Sequence, residues 1–295
     1  MVAAEVFNIM KSIAHIVTPP SAHWVGDGFH VKSMFGGLSF RPEISPFLML
    51  DYGGEVQFPP TTKKLGVGQH PHRGFETVTI VYAGEVEHGD SVGNRGTIGP
   101  GEVQWMTAAS GIVHEEFHGR EFAKKGGAFE MVQLWVNLPA KDKMAAPRYQ
   151  AITNADIPTV SLESGGTARL IAGRLQGQNG GADTFTPINV WDLRLPAGST
   201  HTLPVPEGHG GGLLVLRGEI NIGGVRVGAE RFAVFERQGE GLSVEATSDA
   251  VVLLLSGVPI DEPIVAYGPF VMNTEREIKQ AFDDFRSGRM GRVSA

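Results

Sequence analysis

The stretch HPHRGFETVTIVYAG, His70 to Gly84, sets two histidines one residue apart, then Glu76, then a run of β-formers closed by Ala-Gly. In a strand, residues i and i+2 face the same way, so His70 and His72 can offer two imidazoles to one ion. The same parity joins His114 and Glu116 in GIVHEEF. Three nitrogens and one carboxylate suit Fe, Ni, Cu, Mn or Zn better than Ca or Mg, which prefer oxygen. On a six-coordinate ion, four protein ligands leave two positions for a chelating substrate, or for a substrate oxygen beside O2. Alone, H-x-H is a weak signal, and its plain alternative is a polar strand end with two solvated imidazoles. A second same-face pair in a neighbouring hairpin strengthens the metal reading.

Two further residues share these faces. Glu76 lies four residues beyond His72, on the same side if the strand is regular, as a ligand, a partner fixing a histidine tautomer, or a base for a substrate hydroxyl. His118 shares the parity of His114 and Glu116, as a supporting group or alternate ligand. The run HEEFH, His114 to His118, also matches H-E-x-x-H, the zinc-peptidase pattern that needs a helix. Ser110-Gly111 before it and Gly119 after it favour a strand instead, and the helical reading leaves HPH unexplained. Trp105, Trp135 and the run Phe47 to Leu50 read as core.

The 295 residues fit two medium domains, each able to bury a core. Charged residues make up 19% and hydrophobic ones 41%, with a formal charge of -7, as expected of a folded, mildly acidic chain. Basic residues are scattered, which argues against direct nucleic-acid binding. With no cysteines, disulfides, thiolate metal sites and cysteine nucleophiles are all excluded. MVAAEVFNIMKSIAHIV lacks a secretory pattern, and VVLLL at 251–255 is far short of the ~20 residues of a membrane helix, so a cytoplasmic location is expected.

Forty glycines and 18 prolines separate short runs such as FLMLDY, MVQLWVNL and AVVLLLSG, predicting an all-β fold. One helix is expected, opened by the capping box Thr274–Glu277, carrying Ile278, Ala281, Phe282 and Phe285 on one face, and ending near Gly288. TIVYAGEVEHGD overlays LLVLRGEINIGG, 134 residues later, as an internal repeat. The linker LPAKDKMAAPRYQ places the boundary near residue 142, giving units 1–142 and 143–295. Moved by the repeat distance, His70 and His72 fall on Pro204 and Pro206, and His114 and Glu116 on Ser248 and Ala250, so the second unit reads as lacking a metal. His201 and His209 read as surface histidines.

HPHRGFETVTIVYAGEVEHGDS, GPGEVQWMTAASGIVHEE, LWVNLPAKDKMAAPRYQ and YGPFVMNTEREI together resemble the pirins, a branch of the cupin superfamily, over most of the chain. The resemblance implies a bicupin: two antiparallel β-barrels of jelly-roll type with a short C-terminal helix, terminal segments packing on the opposite domain, and metal only in the first barrel. It implies His70, His72, His114 and Glu116 as ligands and Fe(II) as the metal, with Ni, Cu, Mn, Co or Zn compatible with the donors. Pirins resemble one another in taking the carboxylate from the later strand, so Glu116 rather than Glu76 is the implied ligand. Several pirins resemble quercetinases, which open a flavonol ring with O2; Glu116 or Glu76 would then take the 3-hydroxyl proton. Animal pirins resemble iron-dependent co-regulators, implying the alternative of a metal-sensing protein with a regulatory partner. A monomer is expected.

Overall fold

The structure, a computed structural model, describes residues 9–37 and 40–294. Its strands form two barrels of the same plan, each a seven-stranded sheet facing a four-stranded one. In the first, the large sheet runs Arg148–Ile152, Val103–Thr107, Phe75–Ala83, Gly127–Asn137, Phe47–Phe58, Phe29–Phe35, His23–Val25. Its small sheet runs Gly66–His72, Ile112–His118, Val86–Asp90, Arg95–Ile98. The second repeats this order: Ile13–Val17, Arg231–Phe235, Gly210–Arg217, Ala250–Gly257, Ile188–Leu195, Thr167–Ala172, Thr159–Ser161 over Thr200–Leu203, Leu242–Ala246, Glu219–Ile222, Val225–Gly228. The fold is the bicupin that the sequence implied.

Strand alternation assigns each sheet two jobs. On the Phe75–Ala83 strand and its neighbours, Val78, Ile80, Trp105, Val132, Leu134 and Val136 turn outward from the first barrel. They pack against Leu214, Leu216, Phe232, Val234, Leu253 and Leu255 of the second, so one apolar core joins the two large sheets face to face. The opposite parity fills the interiors. In the second barrel this is Trp191, Leu213, Val215, Val252 and Leu254, an apolar plug. In the first it includes Thr79, in the place of Leu213 in the repeat, and a set of polar side chains that make up the candidate site.

Chain order and sheet membership diverge at both ends. Ile13–Val17 pairs with Arg231–Phe235 at the edge of the second barrel's sheet, while Arg148–Ile152, beyond residue 142, takes the corresponding place in the first. We therefore propose dividing the chain by sheet rather than at residue 142. The C-terminal helix, Glu275–Arg286, starts as expected: Thr274 caps it, its hydroxyl accepting from the Glu277 N–H, and Gly288 beyond its end takes a positive φ. Ile278 and Ala281 of this helix pack with Phe270, Met272, Met290 and Val293 against Val113 of the first barrel. A second helix, Arg120–Lys125, follows Gly119; the sequence reading missed it because its six residues carry no capping box. HEEFH itself lies in the strand Ile112–His118, which rules out the helical peptidase motif. Among the described residues, no helix is long and apolar enough to cross a membrane.

Because Leu253 is fully buried between the barrels, Leu253→Ala should cost about 2–5 kcal/mol and lower the unfolding midpoint of both barrels in one transition. Calorimetry showing two transitions with only one of them shifted would contradict a shared core.

Candidate metal centre

The strands Gly66–His72 and Ile112–His118 pair antiparallel and set His70 opposite His114. A register shift follows, so Glu116 faces Val67. The rings of His70 and His114 lie 4.2 Å apart by centroid, and His72 is 4.9 Å from each. One ligand atom from each of the three lies within 4.8 Å of the others.

Hydrogen bonding orients these rings. His70 Nδ1 is 2.8 Å from the Gly68 carbonyl and His72 Nδ1 is 3.3 Å from the Pro269 carbonyl. A carbonyl only accepts, so each Nδ1 carries the proton and each Nε2 keeps a free lone pair. His114 is 0% exposed, yet neither of its ring nitrogens has a partner. Such a group is costly unless something else satisfies it. Burial holds His72 and His114 well below the usual imidazole pKa, and neighbouring histidines push the same way. The His72 and His114 rings are therefore neutral at ordinary pH, the form that binds a metal ion. Orphaned nitrogens, fixed tautomers and suppressed protonation together fit a cation at this spot.

Glu116 belongs to an adjoining group. Its ligand atoms lie within 4.8 Å of those of His88 and His114, and His88 is its partner across the Val86–Asp90 strand. Gln104 Nε2 donates both to Glu116 Oε1 at 3.2 Å and to His88 Nδ1 at 3.0 Å. The Thr79 hydroxyl is 3.0 Å from the same Oε1, so Oε2 stays free of these bonds. Tyr149 stacks on His88, with centroids 4.9 Å apart. Sequence reasoning missed His88 and Gln104. The signal was present in VEHGD, a buried-strand histidine with the right parity, but nothing local revealed its cross-strand neighbour.

The structure corrects four other expectations. Glu76 is not on the histidine face: the chain turns at Arg73–Gly74, where Gly74 has φ +90°, and a new strand begins at Phe75. Glu76 thus shares the outward parity of Val78 and Ile80, pairs in register with Val136, and accepts a 2.7 Å bond from Thr107. It is buried on the outward face of this sheet, and we propose that it does not serve as the base for the site. His118 keeps the inward parity but sits too far down the strand, boxed by Phe29, Phe58, Phe122 and Phe129 and 2.8 Å from the Gly28 carbonyl. His201 and His209 are not surface residues; they are 4% and 9% exposed and lie beside Ser199 and Ser256. Finally, the constant repeat distance fails from the Val225–Gly228 strand onward, which begins 130 rather than 134 residues after its counterpart Arg95–Ile98. The counterpart of Ile112–His118 is Leu242–Ala246, whose buried positions are Leu242, Val244 and Ala246. Among the described residues, the groups of three or more convergent His, Asp or Glu are the two sharing His114.

Two barrels of this plan, with imidazoles and a carboxylate gathered inside one of them, define a cupin with a donor set that fits a metal site. The chain belongs to the pirin family: the family model described as Pirin matches residues 28–136, and that of the Pirin C-terminal cupin domain matches 190–291. A Pseudomonas aeruginosa protein provisionally named a quercetin 2,3-dioxygenase is 53% identical over 285 residues, covering 96% of this chain and all of that one. A tomato (Solanum lycopersicum) pirin-like protein is 41% identical over 274 residues, covering 90% of this chain and 88% of its own. A crystal structure of quercetin 2,3-dioxygenase from Acinetobacter baumannii superposes with a TM-score of 0.93 at 49% identity, covering 97% of this chain and 100% of that one.

The position of Glu76 has a pH signature. Burial pushes its carboxyl up to about 7 from 4.5, partly offset by the Thr107 bond. The folded protein then binds the proton more tightly than the unfolded chain, so this group's stabilisation is full below pH 4.5 and lost as pH rises through 7. Glu76→Gln should gain stability relative to the parent between pH 4.5 and 7, then run parallel to it, with metal content unchanged. Urea midpoints across this range test it; parallel curves throughout, or loss of metal, would place Glu76 elsewhere.

Proposed function

We propose that the chain is a mononuclear metal-dependent dioxygenase that opens flavonols such as quercetin with O2. The observation that carries the proposal is the convergent histidine cluster, with both His114 nitrogens unpaired, beside an aromatic wall, supported by the names of the P. aeruginosa and A. baumannii relatives. His70, His72 and His114 would hold the ion with Glu116, which belongs to the second group sharing His114, as the fourth donor, Fe(II) preferred and Ni, Cu, Mn, Co or Zn accommodated by the same donors. The ion would supply a Lewis-acid, redox-active position shared by substrate and O2.

The chain's own residues do the rest. The Phe75 and Trp135 rings lie 4.3 Å apart, and both approach the His72 ring at just over 5 Å. Leu48 and Val271 extend this wall. Phe75, Leu48 and Val271 are buried and hold Trp135, the partly exposed ring beside His72, on which a planar polyphenol would stack. Thr79 and Gln104 hold Glu116 Oε1, leaving Oε2 as the oxygen that can take up the proton of a flavonol 3-hydroxyl. Glu76 lies on the opposite face of its sheet from the histidines, bonded to Thr107, which favours Glu116 as the residue that takes this proton.

Anaerobic addition of quercetin to iron-loaded protein should give a bound flavonol with a shifted absorption band, and turnover should begin only on admitting air. His70→Ala combined with His72→Ala should abolish both. Gln104→Leu should keep the bound metal but lower kcat by about 10-fold or more, because Glu116 loses a donor that orients it. Full turnover by the double histidine variant would refute the proposal.

A further inference from the structure

We infer that the C-terminal segment Val265–Ser294 is a working part of the metal centre, a clasp that fixes the His72 ring through the Pro269 carbonyl and is itself anchored by the Arg73–Asp284 pair. The inference rests on the metal-centre reading above and adds to it a set of positioning residues drawn from the other end of the chain.

The contacts are concentrated beside the ligands. Each histidine of the cluster has an immediate sequence neighbour tied to this segment. Gln69, before His70, donates from Nε2 to the Val293 carbonyl at 3.1 Å and accepts from the Val293 N–H at 3.3 Å. Arg73, after His72, accepts at its carbonyl from the Val271 N–H at 3.0 Å. Val113, before His114, packs on Phe270, Met272, Ile278 and Met290. The Pro269 carbonyl reaches a ligand directly, bonding His72 Nδ1 at 3.3 Å.

The anchor is built for rigidity. Arg73 is 4% exposed and donates from Nε to the Ser110 carbonyl at 2.6 Å and from a terminal nitrogen to Asp284 Oδ2 at 2.7 Å. Asp284 also accepts from Gln280 and Arg289, so the helix carboxylate is held from three directions. Lys143 Nζ donates to the Gly74 carbonyl at 2.7 Å and the Val271 carbonyl at 3.1 Å, stitching the turn after His72 to the segment. The approach is so close that a Cβ on Gly74 would lie 1.9 Å from the Val271 oxygen. A loose packing helix needs none of this. A ring whose tautomer and tilt decide whether Nε2 points at the ion does need it, and partners of this kind typically change metal affinity 10–100-fold.

Asp284→Asn keeps the shape of the anchor and removes its charge, and Arg289→Gln, at an exposed site, weakens it without emptying the core. In the metal-free protein, long-range 15N NMR of the imidazoles should show His72 as a single Nδ1–H tautomer in the parent. It should become a tautomer mixture in Asp284→Asn and shift less, in the same direction, in Arg289→Gln. Co(II) affinity should fall about tenfold in Asp284→Asn, with an altered visible spectrum, and less in Arg289→Gln. If Asp284→Asn does not fold, the Arg289→Gln result decides. Unchanged tautomer, spectrum and affinity in the folded variants would overturn the clasp while leaving the metal centre standing. Failure of the parent to bind Co(II), or binding that His70→Ala leaves intact, would instead overturn the metal reading.

Discussion

The structure turns on a cost: the burial of His114 with both ring nitrogens unpaired. Each buried polar group left unsatisfied costs about 1–3 kcal/mol, so a fold carrying one at the centre of its barrel needs a compensating partner. Around His114 the arrangement is consistent with a cation as that partner. His70 and His72 give their Nδ1 protons to carbonyls and so turn Nε2 inward, and desolvation keeps His72 and His114 neutral. Carbonyls from two distant parts of the chain, Gly68 and Pro269, set these rings.

The same plan without that cost is visible in the second barrel. There the inward positions are Leu213, Val215, Trp191 and Leu254, and the counterparts of the HPH residues are Pro204 and Pro206. One architecture thus serves two ends: the second barrel is a packed scaffold, and the first gives up apolar filling at Thr79, Gln104 and Gln133 to build a polar interior. The shared core between the large sheets lets the scaffold stabilise its costlier partner, and the C-terminal segment carries that support to the histidines themselves.

Much of this was legible in the sequence because strand parity is local. HPH and HEEF announced inward pairs, the T-x-x-E box announced the helix, and the 134-residue repeat announced two barrels. Parity failed where the chain stopped being one strand. Gly74 turns the backbone, the count restarts at Phe75, and Glu76 lands on the opposite face from the one a regular strand would give it. It was insufficient where depth mattered: His118 faces inward like His114 but lies in an aromatic box further along. Cross-strand relations were invisible, which hid His88 and Gln104, as were pairings between distant segments: the crossing of Ile13–Val17 was implied by the family resemblance and by no local pattern, and the contacts of Pro269 and Asp284 had no signal at all.

The central claim is that three imidazoles converge on one ion. X-ray absorption at the metal edge of the iron-loaded protein measures this most directly. The account predicts a light-atom first shell of nitrogen and oxygen, with the outer-shell scattering of about three imidazole rings, reduced by one ring in His114→Ala if any metal is retained. A first shell of oxygen alone, or imidazole scattering unchanged in His114→Ala, would contradict it.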